Sequence, residues 1–598
     1  MSAPVEPHRQ DLGQTITAKA DSPAAPSAVT AAVDAEATIP APSGVIDPVG
    51  AIDQAPPKSR EDEPAAPGGS HRLTGRVKSW IGRQRPLPWL ITLVVVAVAI
   101  GSVLRFITSS HIWLDEALTV EISGRHLPQL FGALRHDGSP PLYYLLLHYW
   151  MDLFGTGDSA VRALSGVLSL GTLPLAWFAG RRVARVAASF GHIEPHAVDR
   201  TGAAVLLLFA TSPYMIRYGT ETRMYSLAVF LVLLFAVVLA RALEQPSLRR
   251  WSAVTATTAA LTYTHYWTFL MLASVAFFLL LQARRRRHYR KVCLQALYAM
   301  LAAGVLFLPW LPTFVFQMLH TGTPWAAQVH AEVLLDTVFS WAGPASAGAL
   351  LALVLLLMAF IGYTARPSGD GLHLQLSGRV PGRYLVAMWL APLVLAYGAF
   401  AFGGSAYAER YTGISLPPFL LLAGLGIGLL PSRATVSGLL ALISVLGLVG
   451  GRSLNGDERT NAAEVASRIQ QQARPGDVVG YCPDQLAPAV HRMLVRAKVT
   501  GITEISFADA SGPALVDWVD YAKRMQQASP TAFAHELDQR AGPDGSIYLV
   551  SGDGYRTLGD DCSEVADQLA ALGRDPVAQV GRRRLLESST LVRFSTKR

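Results

Sequence analysis

Charge is scarce in this chain. Of its 598 residues only 16% are charged while 51% are hydrophobic, and the mean hydropathy is +0.31. A soluble globular protein carries about 25% charged residues, because a water-facing surface needs them. The deficit excludes a purely soluble or fibrous reading. Cysteine is scarcer still: three residues with no C-x-x-C spacing exclude a disulfide scaffold. A basic stripe with interleaved aromatics is also missing, so no nucleic-acid partner is expected despite the net charge of +8. No apolar run precedes Trp89, and a cleavable signal peptide is not expected.

Long apolar runs are what the chain has instead, such as 90–104, 224–240 and 347–363. Their length is on the scale of a bilayer crossing, about 20 residues. The fold class expected is an all-α polytopic membrane protein with a C-terminal α/β domain. Expected spans are 88–107, 160–180, 202–216, 224–241, 251–265, 266–283, 293–315, 345–364, 384–403, 414–430 and 434–450.

Four regions follow. Residues 1–70, rich in Ala, Pro, Ser and acids, lack the apolar area that offsets the entropy of ordering and read as a disordered tail. Residues 71–87 are basic, which places them in the cytoplasm before the first span. Residues 88–450 hold the spans. Residues 455–598 are mixed in composition, with strand-like runs at 478–482, 546–550 and 590–594 and helical ones at 486–497 and 563–573.

Loop charge orients the whole in a cell membrane. The run 284–291, RRRRHYRK, belongs inside, whereas 316–344 has no Lys or Arg and belongs outside. With eleven spans the C-terminal domain is extracytoplasmic. Residues 140–154 would break the alternation if they crossed, and Tyr144, His148 and Asp152 form one narrow polar stripe. The segment therefore reads as a helix lying at the outer face, with a short span as the alternative. In the outer domain Cys482 ends a strand and Cys562 opens a helix. An oxidising compartment lets such thiols pair, so a disulfide is expected, against two unpaired cysteines.

Five polar motifs fall on the outer side under this topology. Trp113-Leu114-Asp115-Glu116 follows the first span; an acid there serves as general base on a hydroxyl, or is an ordinary acidic loop. His136-Asp137-Gly138-Ser139-Pro140-Pro141 ends one element and starts another, aiming His136 and Asp137 at a cavity, or is helix punctuation. Glu221-Thr222-Arg223-Met224-Tyr225 sits between apolar runs, where ionisable groups mark function or a structural ion pair. Tyr263-Thr264-His265-Tyr266-Trp267 fits an aromatic interface belt, which accounts for His265 less well. Glu409-Arg410-Tyr411 offers a guanidinium fork that matches phosphate, or an interfacial arginine. Their shared side points to a site that deprotonates a hydroxyl and holds a phosphate.

The order W-x-D-E, P-P-L-Y-Y, E-x-R-M-Y, Y-T-H-Y, E-R-Y resembles the bacterial family 39 glycosyltransferases, relatives of protein O-mannosyltransferases and aminoarabinose transferases with the GT-C fold. The resemblance covers roughly 88–430, and the Ala- and Arg-rich composition looks actinobacterial. It implies a membrane enzyme that transfers a sugar, mannose or arabinose, from a polyprenyl phosphate to an extracytoplasmic glycan, glycolipid or protein, with inversion. It gives Asp115 the role of base, with Glu116 beside it, and places Arg223, His265 and Arg410 near the donor phosphate or sugar. Supporting residues would be His136, Asp137, Glu221, Tyr266, Glu409 and Tyr411. Two departures stand out: Ser139 replaces a common basic or amide side chain, and Thr222 a common Ala. Some relatives bind a divalent metal; Asp115, Glu116, His136 and Asp137 are suitable ligand types, but nothing in the sequence requires a metal or another cofactor. The rival readings are a flippase of lipid-linked sugars, which would show inverted repeats, and a non-catalytic assembly subunit.

Overall fold

The computed structural model describes residues 88–191, 197–322, 332–368, 371–376, 378–403, 407–508, 512–552, 555 and 557–595. All of them belong to one compact unit, Arg85–Arg598. The expectations for 1–70 and 71–87 lie outside the described residues.

Among the described residues, eight helices are long and apolar enough to cross a membrane: Asp158–Ser189, Tyr225–Glu244, Thr268–Arg285, Arg287–His320, Ala345–Thr364, Gly382–Ala399, Glu409–Leu429 and Arg433–Gly456. The other three expected spans are helices too, but shorter: Pro88–Leu104, Ala197–Ala210 and Leu248–Thr262, with 17, 14 and 15 residues. The second of these stops for a local reason. Ser212 caps a new helix at Pro213, accepting from Met215 N–H, and buried Arg105 donates to the orphaned carbonyls of Phe209 and Ala210 at 2.6 and 2.8 Å. The third carries Arg249, Arg250 and four threonines, which lower its hydropathy.

Glu409–Leu429 is the central helix, buried along its whole apolar window. Glycine lets its neighbours approach to backbone contact: a Cβ on Gly426 would overlap the Met358 carbonyl oxygen. Close packing through small residues is how helices associate where lipid supplies no hydrophobic drive. This helix therefore fixes where the Arg410 segment at its start stands.

The segment 140–154 contains the helix Leu142–Phe154. Its 13 residues span about 20 Å, short of a hydrocarbon core of about 30 Å. One face buries Tyr143, Tyr144, Leu147 and Met151; the other exposes Leu146, Tyr149 and Leu153. A two-sided helix of this length suits an interface better than a crossing.

The C-terminal region is a five-stranded mixed sheet in the order Thr503–Ser506, Val478–Cys482, Ile547–Ser551, Thr590–Phe594, Pro576–Val580. The first three strands are parallel and the last two run antiparallel to their neighbours. Side chains alternate between two cores. Val478, Cys482, Ile547 and Leu549 face one; Val479, Tyr481, Tyr548 and Val550 face the other. Cys482 and Cys562 form a disulfide with Cα atoms 5.5 Å apart, as expected. The first core is not the domain's own: Trp113, Leu114 and Leu118, from the start of the helix Leu114–Ser123, are buried in it.

Candidate functional site

The helix Leu114–Ser123 carries Asp115 and Glu116, and the structure treats the two carboxylates oppositely. Glu116 is fully buried. It receives Arg162 Nε at 2.8 Å and Arg162 Nη2 at 2.5 Å, and the Thr222 N–H at 2.9 Å. Burial pushes this carboxyl up, yet the Arg162 guanidinium, Arg459 and the Thr222 N–H together hold it below the usual range. Asp115 points the other way. Its Oδ2 stands 3.9 Å from Arg223 Nε and 3.9 Å from Arg410 Nη2, and takes no hydrogen bond.

These three charges form the polar centre. Arg223 Nη1 donates to Thr119 Oγ1 at 2.9 Å and to the Tyr144 hydroxyl at 3.1 Å, while its Nε has no partner. Tyr144 in turn donates to Asp137 Oδ2 at 2.7 Å. The chain Asp137, Tyr144, Arg223 aims one guanidinium edge at Asp115. Arg410 Cζ lies 5.9 Å from the Trp113 ring and 5.6 Å from that of Tyr411. His265 packs against Tyr411 at 5.0 Å and Tyr225 at 6.2 Å between ring centroids. Its Nδ1 accepts the Trp267 N–H at 3.2 Å, which leaves the proton of the neutral ring on Nε2.

Of the expected residues, Asp115, Arg223, Arg410, His265, Tyr411 and Asp137 lie along this one set of contacts. Four other expected residues stand elsewhere. Glu221 is sealed behind the centre against Arg217 at 2.5 Å and Arg459 at 3.6 Å. His136 is half-exposed and pairs with Asp517 of the C-terminal region at 2.9 Å. Glu409 is exposed, offering its carbonyl to the Thr412 hydroxyl. Tyr266 bonds Gln317 and receives, at 3.0 Å, Nε1 of Trp310, a residue that lines a cavity. Asp115, Glu116, His136 and Asp137 therefore do not form one ligand set, and among the described residues no three His, Cys, Asp or Glu side chains gather as a metal site.

That cavity has a volume of about 660 Å³ and a mainly apolar wall, including Phe131, Pro141, Leu142, Tyr263, Pro309 and Trp310. Pro141 and Leu142 lead into the helix turn bearing Tyr144, and Tyr263 lies two residues from His265. An apolar space and a cationic centre therefore share two chain segments.

Three residues that matter here carried no motif: Arg162, Arg459 and Glu587. Arg162 is the one signal open to sequence, a lone arginine at the start of an apolar 32-residue helix. A charge in that setting needs a partner.

No family model matches the chain, and no curated protein matches it. Solved structures do. ArnT from Cupriavidus metallidurans in the apo state aligns with a TM-score of 0.50 at 15% identity, over 84% of this chain and 97% of that one. The same protein bound to undecaprenyl phosphate gives 0.48 at 14% identity, over 84% and 98%. Arabinosyltransferase EmbB from Mycobacterium smegmatis gives 0.33 at 14%, over 83% and 42%. The chain has a helical, GT-C-like membrane fold with a C-terminal mixed α/β region.

Proposed function

We propose that this protein is a membrane glycosyltransferase that moves a sugar, mannose or arabinose, from a polyprenyl phosphate to a hydroxyl of an extracytoplasmic glycan, glycolipid or protein. One observation carries the reading: an unbonded Asp115 carboxylate oxygen held 3.9 Å from each of two guanidiniums. A structural ion pair closes to hydrogen-bond distance, as Glu116 and Arg162 do. A gap between one acid and two cations suits a hydroxyl and a phosphate entering together.

The step is an inverting displacement. The acceptor oxygen forms a bond to the anomeric carbon on the face opposite the leaving group. The bond from that carbon to the phosphate oxygen breaks, and its electron pair leaves with the polyprenyl phosphate. Asp115 takes the acceptor proton, and Arg223 and Arg410 balance the charge gathering on the phosphate. His265 contributes an Nε2 proton as donor to the sugar or phosphate. Glu116 holds the helix rather than meeting substrate. The apolar cavity suits the first isoprene units of the donor, a class also supported by the undecaprenyl phosphate bound to ArnT. In this reading the N-terminus is cytoplasmic and the C-terminal region faces outward.

Purified protein with polyprenyl phosphates bearing radiolabelled mannose or arabinose tests this against an acceptor membrane extract. The expected result is label in the acceptor fraction with stoichiometric release of polyprenyl phosphate. Movement of labelled donor across vesicles without release would assign a flippase instead, and neither event a non-catalytic subunit.

A further inference from the structure

The helix Leu114–Ser123 begins without a local cap. Its N-cap residue, Trp113, is extended and offers no side-chain acceptor. The first four N–H groups of a helix need acceptors from somewhere. Leu114 N–H finds one 473 positions away: it donates to Glu587 Oε2 at 3.1 Å, and both partners are buried. Leu114 directly precedes Asp115.

Glu587 is itself fixed by main chain. Its N–H donates to the Arg459 carbonyl at 2.8 Å, and the residue bridges Thr460 in parallel register. Arg459 then reaches the same helix from behind. Its Nη1 lies 3.7 Å from Glu116 Oε2 and 3.6 Å from Glu221 Oε2, and its Nη1 and Nη2 donate to the carbonyl and hydroxyl of Thr220 at 3.2 and 2.8 Å. Its N–H donates to Ser110 Oγ at 2.9 Å. The two residues thus grip both sides of the first turn, while Trp113 and Leu118 are buried in the core of the C-terminal sheet.

The geometry points to Glu587 and Arg459 as positioning residues, through which the C-terminal region sets the angle at which Asp115 meets the two guanidiniums. The α/β region is then a working part of the catalytic centre, not a detachable module for acceptor capture. This rests on the transferase reading of Asp115. A general base displaced by about 1 Å loses about 10²-fold in rate, so an anchor one residue away acts on turnover while leaving the phosphate partners in place.

The test uses the full chain in detergent or nanodiscs, with hydrogen exchange of peptides covering 113–118 and transfer from polyprenyl-phosphate mannose or arabinose as two readouts. Glu587→Ala should raise exchange at the Leu114 amide at least 10-fold and lower kcat at least 10-fold, with KM for donor changed less than 3-fold. Glu587→Gln keeps an acceptor oxygen and should restore both. Arg459→Met should raise exchange across the same peptide. Unchanged exchange in Glu587→Ala, or no rescue by the glutamine, overturns the proposal. If Asp115→Asn remains fully active the reading of Asp115 as the base falls, and if wild type transfers no sugar the transferase reading falls, while the exchange result still decides the anchor.

Discussion

Two neighbouring regions of the site solve the problem of buried charge in opposite ways. Behind the helix Leu114–Ser123, Glu116, Glu221, Arg162, Arg217 and Arg459 are packed into a network with contacts of 2.5–3.7 Å. In front of it, Asp115, Arg223 and Arg410 approach no closer than 3.9 Å, and two of the facing polar atoms, Asp115 Oδ2 and Arg223 Nε, have no partner. Buried polar groups are bonded as a rule, and the exceptions need a reason. The rear network spends its charges on holding the helix. The front retains its charges for a ligand. Adjacent carboxylates in sequence therefore differ in role because one side of the helix is closed and the other is not.

The comparison breaks most visibly at Asp115. Asp115→Asn keeps the shape and removes the base, so transfer should fall about 10²–10⁴-fold while the melting temperature and donor binding stay near wild type. Single-turnover transfer and donor binding by the purified variant check this. Turnover within threefold of wild type would show that the front charges do no proton transfer.

The rear network answers to stability. Arg162→Met strands Glu116 as a buried charge, which costs about 3–5 kcal/mol when a buried pair loses one member. Replacing both, with Glu116→Leu and Arg162→Met, should recover part of that loss. Thermal unfolding in detergent measures both variants. A double variant no more stable than the single would mean that the pair is not a closed unit.

Much of this was legible in sequence, and the boundary of legibility has a physical cause. Long apolar runs located the eight described helices long enough to cross, because the apolar character of a span is written in its own segment. Length was less legible. Residues 202–216 read as one span, but the helix breaks near Ala210, where Arg105 from an earlier segment donates to its last carbonyls. Asp115, Arg223 and Arg410 were found because each sits in a polar motif interrupting an apolar run. The separation of Asp115 from Glu116 was not legible, since the closing partners Arg162 and Arg459 lie 46 and 343 positions away from Glu116. Glu587 was beyond reach for the same reason, since the Leu114 N–H it accepts lies 473 positions away. In the sheet, the strands Thr503–Ser506 and Pro576–Val580 were missed: each is short and at an edge, so neither shows a buried alternation.

The C-terminal region sharpens the comparison at a smaller scale. Its disulfide joins residues 80 positions apart, a loop long enough to contribute about 4 kcal/mol in the chain-entropy model. Cys482→Ser with Cys562→Ser should lower the unfolding temperature of this region and, through the shared core with Trp113 and Leu118, loosen the helix bearing Asp115. Exchange at 113–118 that stays at wild-type level while the sheet destabilises would separate the two regions.

The smallest effect is a pH slope, and its sign is fixed by Glu587. Burial pushes this carboxyl up to about 8, from an ordinary value of 4.5; the Leu114 N–H and the Thr460 hydroxyl oppose the rise, and Asp115 and Glu116 add to it. Tyr555 also feels its charge. Between pH 4.5 and about 8 the folded chain holds a proton at this site that the unfolded chain has released. Where the folded state binds more protons, stability falls as pH rises. The contribution of Glu587 is therefore lost progressively from pH 4.5 toward about 8 and is constant above that. Glu587→Gln has no proton to release and keeps the acceptor for Leu114. Wild type and variant should match near pH 5, and the variant should become the more stable of the two by pH 8, by a few degrees in unfolding temperature. Arg162, Arg459, Asp115 and Glu116 are common to both proteins, so the difference between the curves isolates Glu587. Parallel curves across that range would place a charged Glu587 at the head of the helix already at pH 5, and the closed rear of the site would then extend around its first turn.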